Sequence, residues 1–244
     1  AGINKTCRSE TYWVSKLSAL NPATLVFART GSSNIAADYH ELSFSLPTAF
    51  REFIDRAGGS QSAVVHVLGA FGGFLARLND TGQFDVGFFD VTEHNEFANL
   101  YDVFAARVPF RFDVDTQQPF GHLLESTQKE RQAVRKHKVF GRDISKRYPQ
   151  LSRSAESNLV LDEYPVNVIL RSGRNDKLPK LGGDITLIID EEGSQCSLLY
   201  DRNRIGFDDI DRLLGYLTSF LNGISAEPDR SLKYLPVMSE KERR

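Results

Sequence analysis

Five histidines, His40, His66, His94, His122 and His137, are the side chains of this 244-residue chain best suited to acid–base work or metal binding near neutral pH. No two stand at His-x-His or His-x-x-x-His spacing, and Cys7 and Cys196 form no Cys-x-x-Cys pair. Neither a metal site nor a disulfide framework is implied. His66 falls inside a long apolar run and reads as a satisfied core residue. His40, on a strand pattern, and His122, on a helix pattern, read as surface or half-buried. His94 differs, since it lies in Asp90-Val91-Thr92-Glu93-His94-Asn95-Glu96, a polar stretch directly after a buried strand pattern, where active-site loops often lie. A solvated acidic loop fits the same residues. His137 belongs to a basic run with Arg131, Arg135, Lys136, Lys138, Arg142, Lys146 and Arg147, which is either a solvated helix face or a landing place for a phosphate or an acidic partner helix.

There is no Gly-x-Ser-x-Gly for a nucleophile elbow and no Gly-x-x-x-x-Gly-Lys-Ser/Thr for a P-loop. The glycines of Leu68-Gly69-Ala70-Phe71-Gly72-Gly73 lie within a helix pattern and serve packing. By its own residues the chain is poor in catalytic groupings.

The elements that must position these residues follow from hydrophobic period. Helices are predicted over Thr11–Leu17, from Pro47 through Phe50, Phe53 and Ile54, over Gln61–Leu78, over Phe120–Lys136, and over Phe207–Leu221. Gln61–Leu78 is the most apolar and is expected to be buried against a sheet. Strands are predicted at His40–Leu46, Phe84–Val91, Val108–Val114, Asn167–Leu170, Asp184–Asp190 and Gln195–Tyr200. The polar connection from Arg171 to Lys180 is too long for a tight hairpin. This order is that of an α/β or α+β sandwich, a mixed sheet packed by helices.

Composition agrees: 41% hydrophobic and 25% charged residues exclude disorder and collagen, and this length should bury roughly 70–75% of the extended chain's surface without disulfides. Thirty Lys and Arg against 32 Asp and Glu leave a net charge of −2, too balanced for a nucleic-acid surface. No run approaches the roughly 20 apolar residues that span a bilayer, so no membrane partner is expected and a reducing cytoplasm is the default. A start at Ala1 without Met and the charged stretch Glu240–Arg244 fit a piece of a longer chain.

The ordered segments resemble the condensation domains of nonribosomal peptide synthetases, specifically their C-terminal half. Tyr12-Trp13-x-x-x-Leu17 is similar to the family's Tyr-Trp-x-x-x-Leu. Ala70-Phe71-x-x-x-Leu75-x-Arg77 followed by Phe84-Asp85-Val86-Gly87 is similar to its Leu-x-Arg helix and the strand after it. Tyr101 to Arg111 resembles Gly-x-Phe-Val-Asn-Thr-x-Pro-Leu-Arg, keeping Phe104, Pro109 and Arg111, and Phe120–Leu124 fits the helix that follows. Tyr200-Asp201, Phe207 to Leu221, Pro228 and Leu235 to Arg243 resemble the boundary at which a condensation domain gives way to an adenylation domain.

The resemblance implies one lobe of a chloramphenicol-acetyltransferase-like fold, spanning residues 1–244, whose two lobes enclose a tunnel for carrier-tethered thioesters. Asp90, Glu93, His94 and Asn95 would floor the tunnel. Arg171, Arg174 and Lys177 would lie on a latch crossing to the other lobe. Arg135, Lys136 and Lys138 would contact carrier protein. The expected partners are the adenylation and peptidyl-carrier domains of the same synthetase, and phosphopantetheine would arrive only on the carrier. The family's His-His-x-x-x-Asp-Gly belongs to the other lobe and no adjacent His pair occurs here, so no catalytic residue is assigned and the chain is expected to be a noncatalytic platform. The floor also lacks the family's Arg, and Ala105-Ala106 replaces Asn-Thr. The alternatives are the second lobe of an intact peptide-bond-forming enzyme, a free-standing acyltransferase using His94 as base with Glu93 or Asp90 orienting it, and a plain interaction scaffold. An isolated lobe is further expected to expose an apolar face and to cover it by forming a homodimer.

Overall fold

The long apolar helix organises the molecule. In a computed structural model, which describes residues 9–29, 36–57, 60–94, 97, 100–148, 151, 164–173, 176, 182–190, 193 and 195–238, every residue from 63 to 76 is buried. Chain order is α1 (Glu10–Ser18), β1 (Tyr39–Ser45), α2 (Thr48–Ala57), α3 (Ser60–Asn79), β2 (Gln83–Asp90), α4 (Val91–His94), β3 (Val108–Asp113), α5 (Phe120–His137), α6 (Ile144–Arg147), β4 (Val166–Arg171), β5 (Ile185–Asp190), β6 (Gln195–Asp201) and α7 (Phe207–Ala226), then a 3-10 turn at Leu232–Tyr234. All the predicted helices and strands are present. The two single-turn helices α4 and α6 are additions.

The strands form one six-stranded mixed sheet in the order β1-β6-β5-β4-β2-β3. β2, β4 and β5 run parallel, whereas β6, β1 and β3 join by antiparallel pairing. Adjacent parallel strands need a crossover of a dozen residues or more. Residues 172–184 between β4 and β5 therefore cannot be a hairpin, as the sequence indicates.

Alternation assigns the two faces. Phe84, Val86 and Phe88 of β2, Phe110 and Phe112 of β3, Val168 of β4 and Leu187 of β5 belong to the main core with the helices. Phe89, Ile169, Ile188 and Leu199 face the other way and form a small second cluster with Tyr39 and Tyr101. α3 approaches β3 closely because Gly72 has no side chain: a Cβ there would lie 2.3 Å from the Phe112 ring.

The expected exposed apolar face is not found among the described residues. The second cluster is buried, and the outlying part of that face offers Glu41, Ser43, Ser45, Arg171 and Gln195. Among the described residues the large exposed apolar side chains are Val26, Leu100, Val103, Phe207, Tyr234 and Met238. Among the described residues no helix is long and apolar enough to cross a membrane.

Candidate functional site

The segment Asp90–His94 is a turn of helix fastened to α5. Asp90 closes β2 and caps α4: its Oδ1 accepts from the Thr92 amide at 3.1 Å and the Thr92 hydroxyl at 2.7 Å. This is the N-cap arrangement that satisfies an otherwise orphan helix donor. Three residues on, Glu93 Oε1 accepts from Nε and Nη2 of Arg135 at 2.8 and 2.7 Å. One turn before Arg135 on the same helix face, buried Arg131 lies in the field of Asp90 and Glu93. Burial pushes the Arg131 guanidinium below its usual pKa, and Asp90 opposes that push. Glu93 of α4 thus pairs with Arg135, and Asp90 at the end of β2 lies in the field of Arg131, one turn earlier on α5.

This arrangement joins two groups of residues that the sequence keeps apart, since Glu93 is expected on the floor segment and Arg135 belongs to the basic run. It also bears on His94 as a base. Neither candidate orienter is idle: Asp90 is spent on the cap and Glu93 on Arg135. His94 ends α4, its side chain lies outside the described residues, and so does Asn95.

The other histidines sit in ordinary surroundings. His66 is buried beside the Phe53 and Phe120 rings, with centroids at 5.6 and 6.1 Å. His122 is exposed. His40 is exposed, with Arg202 Nη1 at 3.2 Å and Asp38 at 3.7 Å. His137 stacks on Tyr12 at 4.0 Å, and its Nδ1 lies 3.0 Å from Ser9 Oγ. Partial burial, then Lys136 and Lys16, lower its pKa below the usual histidine value.

Of the residues expected on a latch, Arg171 ends β4 and reaches over the sheet to Glu41 of β1 at 3.7 Å, where Glu41 also accepts from Ser197 Oγ at 2.5 Å. Arg174 and Lys177 lie outside the described residues. In the basic run Lys136 is exposed and Lys138, with φ of 54°, breaks α5. Others are tied down: Arg142 donates to the Phe104 carbonyl at 3.2 Å, and Arg147 pairs with Asp143 and Glu10. Among the described residues no group of three or more His, Cys, Asp or Glu side chains could hold a metal ion.

The residues that carry the family resemblance do structural work. Asp85, fully buried, takes a two-pronged ion pair from Arg111, Nε to Oδ1 at 3.0 Å and Nη2 to Oδ2 at 2.8 Å. Arg111 Nη2 also donates to the Ala19 carbonyl at 2.6 Å, closing the end of α1, and the Asn21 amide donates to Asp85 at 2.8 Å. Next to it Lys16 pairs with Glu130, which in turn accepts from the Arg111 amide at 2.9 Å. Burial lowers the Lys16 pKa and raises that of neighbouring Tyr12, with Glu130 opposing the first and adding to the second. Trp13 is fully buried and donates to the His137 carbonyl at 3.2 Å. Arg77 donates to the carbonyls of Leu232 and Leu235 and so seats the C-terminal segment. Gly223 admits Pro236, whose Cδ would lie 2.5 Å from a Cβ. Ala105 and Ala106 are buried.

Among the solved structures that match this fold are three condensation-related ones. A variant of the starter condensation domain of rhizomide synthetase, solved with C8-CoA, matches with a TM-score of 0.69 at 13% identity, covering 96% of this chain and 56% of that one. The first condensation domain of the CDA synthetase matches with a TM-score of 0.69 at 15% identity over 96% of this chain and 54% of that one. The chain folds like half of a condensation domain. A chain of the complex of the X-domain and OxyB from teicoplanin biosynthesis gives a TM-score of 0.69 at 15% identity, with 97% and 56% covered. This chain therefore spans just over half the length of each of these three chains. No protein-family model matches the sequence, and no curated protein matches it in sequence. The condensation-type fold expected from the ordered motifs is confirmed, at identities that carry fold alone.

Proposed function

We propose that this chain is the C-terminal lobe of a nonribosomal peptide synthetase condensation domain, serving in the cytoplasm as a platform for a following adenylation domain and as a contact for carrier protein, without catalysis of its own. The observation that carries the reading is coverage: nearly the whole of this chain matches about half of each condensation domain. The sequence adds direction, since its motifs correspond to the family's second half and it has no His-His-x-x-x-Asp-Gly. The floor supports a noncatalytic role, because its carboxylates are engaged with a helix cap and with α5. The complex of the X-domain and OxyB is a precedent for a chain of this fold within a protein assembly.

In this reading Lys136, Lys138 and Arg135 receive the acidic surface of a carrier, and phosphopantetheine arrives on that carrier. Arg171 lies at the root of the latch. The C-terminal segment held by Arg77 gives the adenylation domain a fixed point of departure. The test is to incubate this chain with aminoacyl-loaded donor and acceptor carriers and to follow amide formation by mass spectrometry. No condensed product above the uncatalysed background is expected. A product that depends on His94, and is lost in His94→Ala, would establish the free-standing acyltransferase instead.

A further inference from the structure

The outer edge of β1 carries an inference that the platform reading does not contain. β1 pairs with β6 along all seven residues, Tyr39–Ser45, and ends the sheet. Among the described residues no other backbone group bonds to that edge. His40, Glu41, Ser43 and Ser45 are exposed, and a cleft of about 610 Å³ lies over the adjoining sheet face between Glu41, Ser45, Arg171 and Gln195. Native edge strands are usually blunted by Lys, Pro, a bulge or a covering element. β1 contains no Lys, Arg or Pro. The opposite edge, β3, has those defences: Pro109 lacks an N–H, and Glu130 takes the Arg111 amide.

We propose that β1 pairs antiparallel with β1 of a second copy, joining two sheets across a two-fold axis at Leu42. The register follows from charge and length. Centred on Leu42, all seven residues pair; Glu41 of one copy faces Ser43 of the other, His40 faces Phe44, and Leu42 meets Leu42. Centring on Glu41 would oppose two carboxylates, which destabilises a ladder, and centring on Ser43 leaves two residues of each strand unpaired. Odd registers would place the polar face of one copy against the apolar face of the other. Only the Leu42 register satisfies charge, face and full overlap together. This contact uses the sheet edge, not the apolar face first expected.

The test is sedimentation over a concentration series, combined with disulfide trapping in a Cys7→Ser background. Directly opposed residues stand about 4.5–5.5 Å apart at Cα, within disulfide reach. Cys196 stays silent because burial pushes its thiol up to about 12. Leu42→Cys is expected to trap a covalent dimer under mild oxidation, and Ser45→Cys, which would face Tyr39, is not. Ser43→Glu, at an exposed position, sets two pairs of like charges against each other and should weaken dimerisation about fivefold, whereas Ser43→Lys should strengthen it. A monomer at every concentration, equal trapping at both cysteines, or weakening by both charges would overturn the proposal.

Discussion

The two edges of the sheet are built in opposite ways. At β3 the edge is closed by α1, by the Asp85–Arg111 pair, by Glu130 on the edge amide and by Pro109. At β1 the strand is polar and open, and the long ion pair of Arg171 with Glu41, at 3.7 Å, joins partly exposed groups. The family-like motif residues Trp13, Leu17, Asp85, Pro109 and Arg111 gather at the closed edge, while β1 has none. A sequence can thus resemble a family through the residues that hold its fold together, while an edge such as β1 carries none of them.

That contrast can be broken at its strongest point. Asp85→Ala removes one partner of a buried pair, leaving Arg111 only backbone acceptors and the Asn21 amide none; a loss of about 3 kcal/mol is expected. Arg171→Ala, at the open side, should cost under about 1 kcal/mol. Urea denaturation of the two variants measures both, and equal losses would erase the distinction. Gly72→Ala comes next, at about 1–3 kcal/mol, because the new methyl would overlap the buried Phe112 ring.

The same contrast explains what could be read in advance. α3, β2 and α7 were legible because each is long enough for its period to show. α4 was not, being one turn, although Asp90 two residues before Thr92 is its capping signal. The parallel placement of β4 and β5 is consistent with a connection too long for a hairpin, but strand order carries no local signal. Asp85 and Arg111 were both visible as motif residues. Their pairing was not, since it depends on the β2–β3 register, and Glu93 with Arg135, or Lys16 with Glu130, are joined only by the packing of separate elements.

Smaller effects sharpen the picture. Arg77→Met should release the carbonyls of Leu232 and Leu235 for about 1–2 kcal/mol. Amide exchange at Leu232 and Lys233 should quicken well before the global fold is affected. Acidification should loosen α1, since the folded state holds His137 below its usual pKa. The unfolded chain then binds more protons, so this contribution is complete above about pH 6.5 and is lost as the pH falls through the folded value. His137→Phe should flatten the fall in melting temperature between about pH 7.5 and about pH 5; an unchanged profile would remove His137 from the account.

The most direct test of the central claim is a calorimetric titration of this chain with a phosphopantetheine-bearing carrier protein. The account predicts saturable binding that weakens with added salt and is reduced at least severalfold by Lys136→Glu with Lys138→Glu. No heat of binding, or binding indifferent to both reversals, would contradict a carrier-contact lobe and leave only its fold in common with condensation domains.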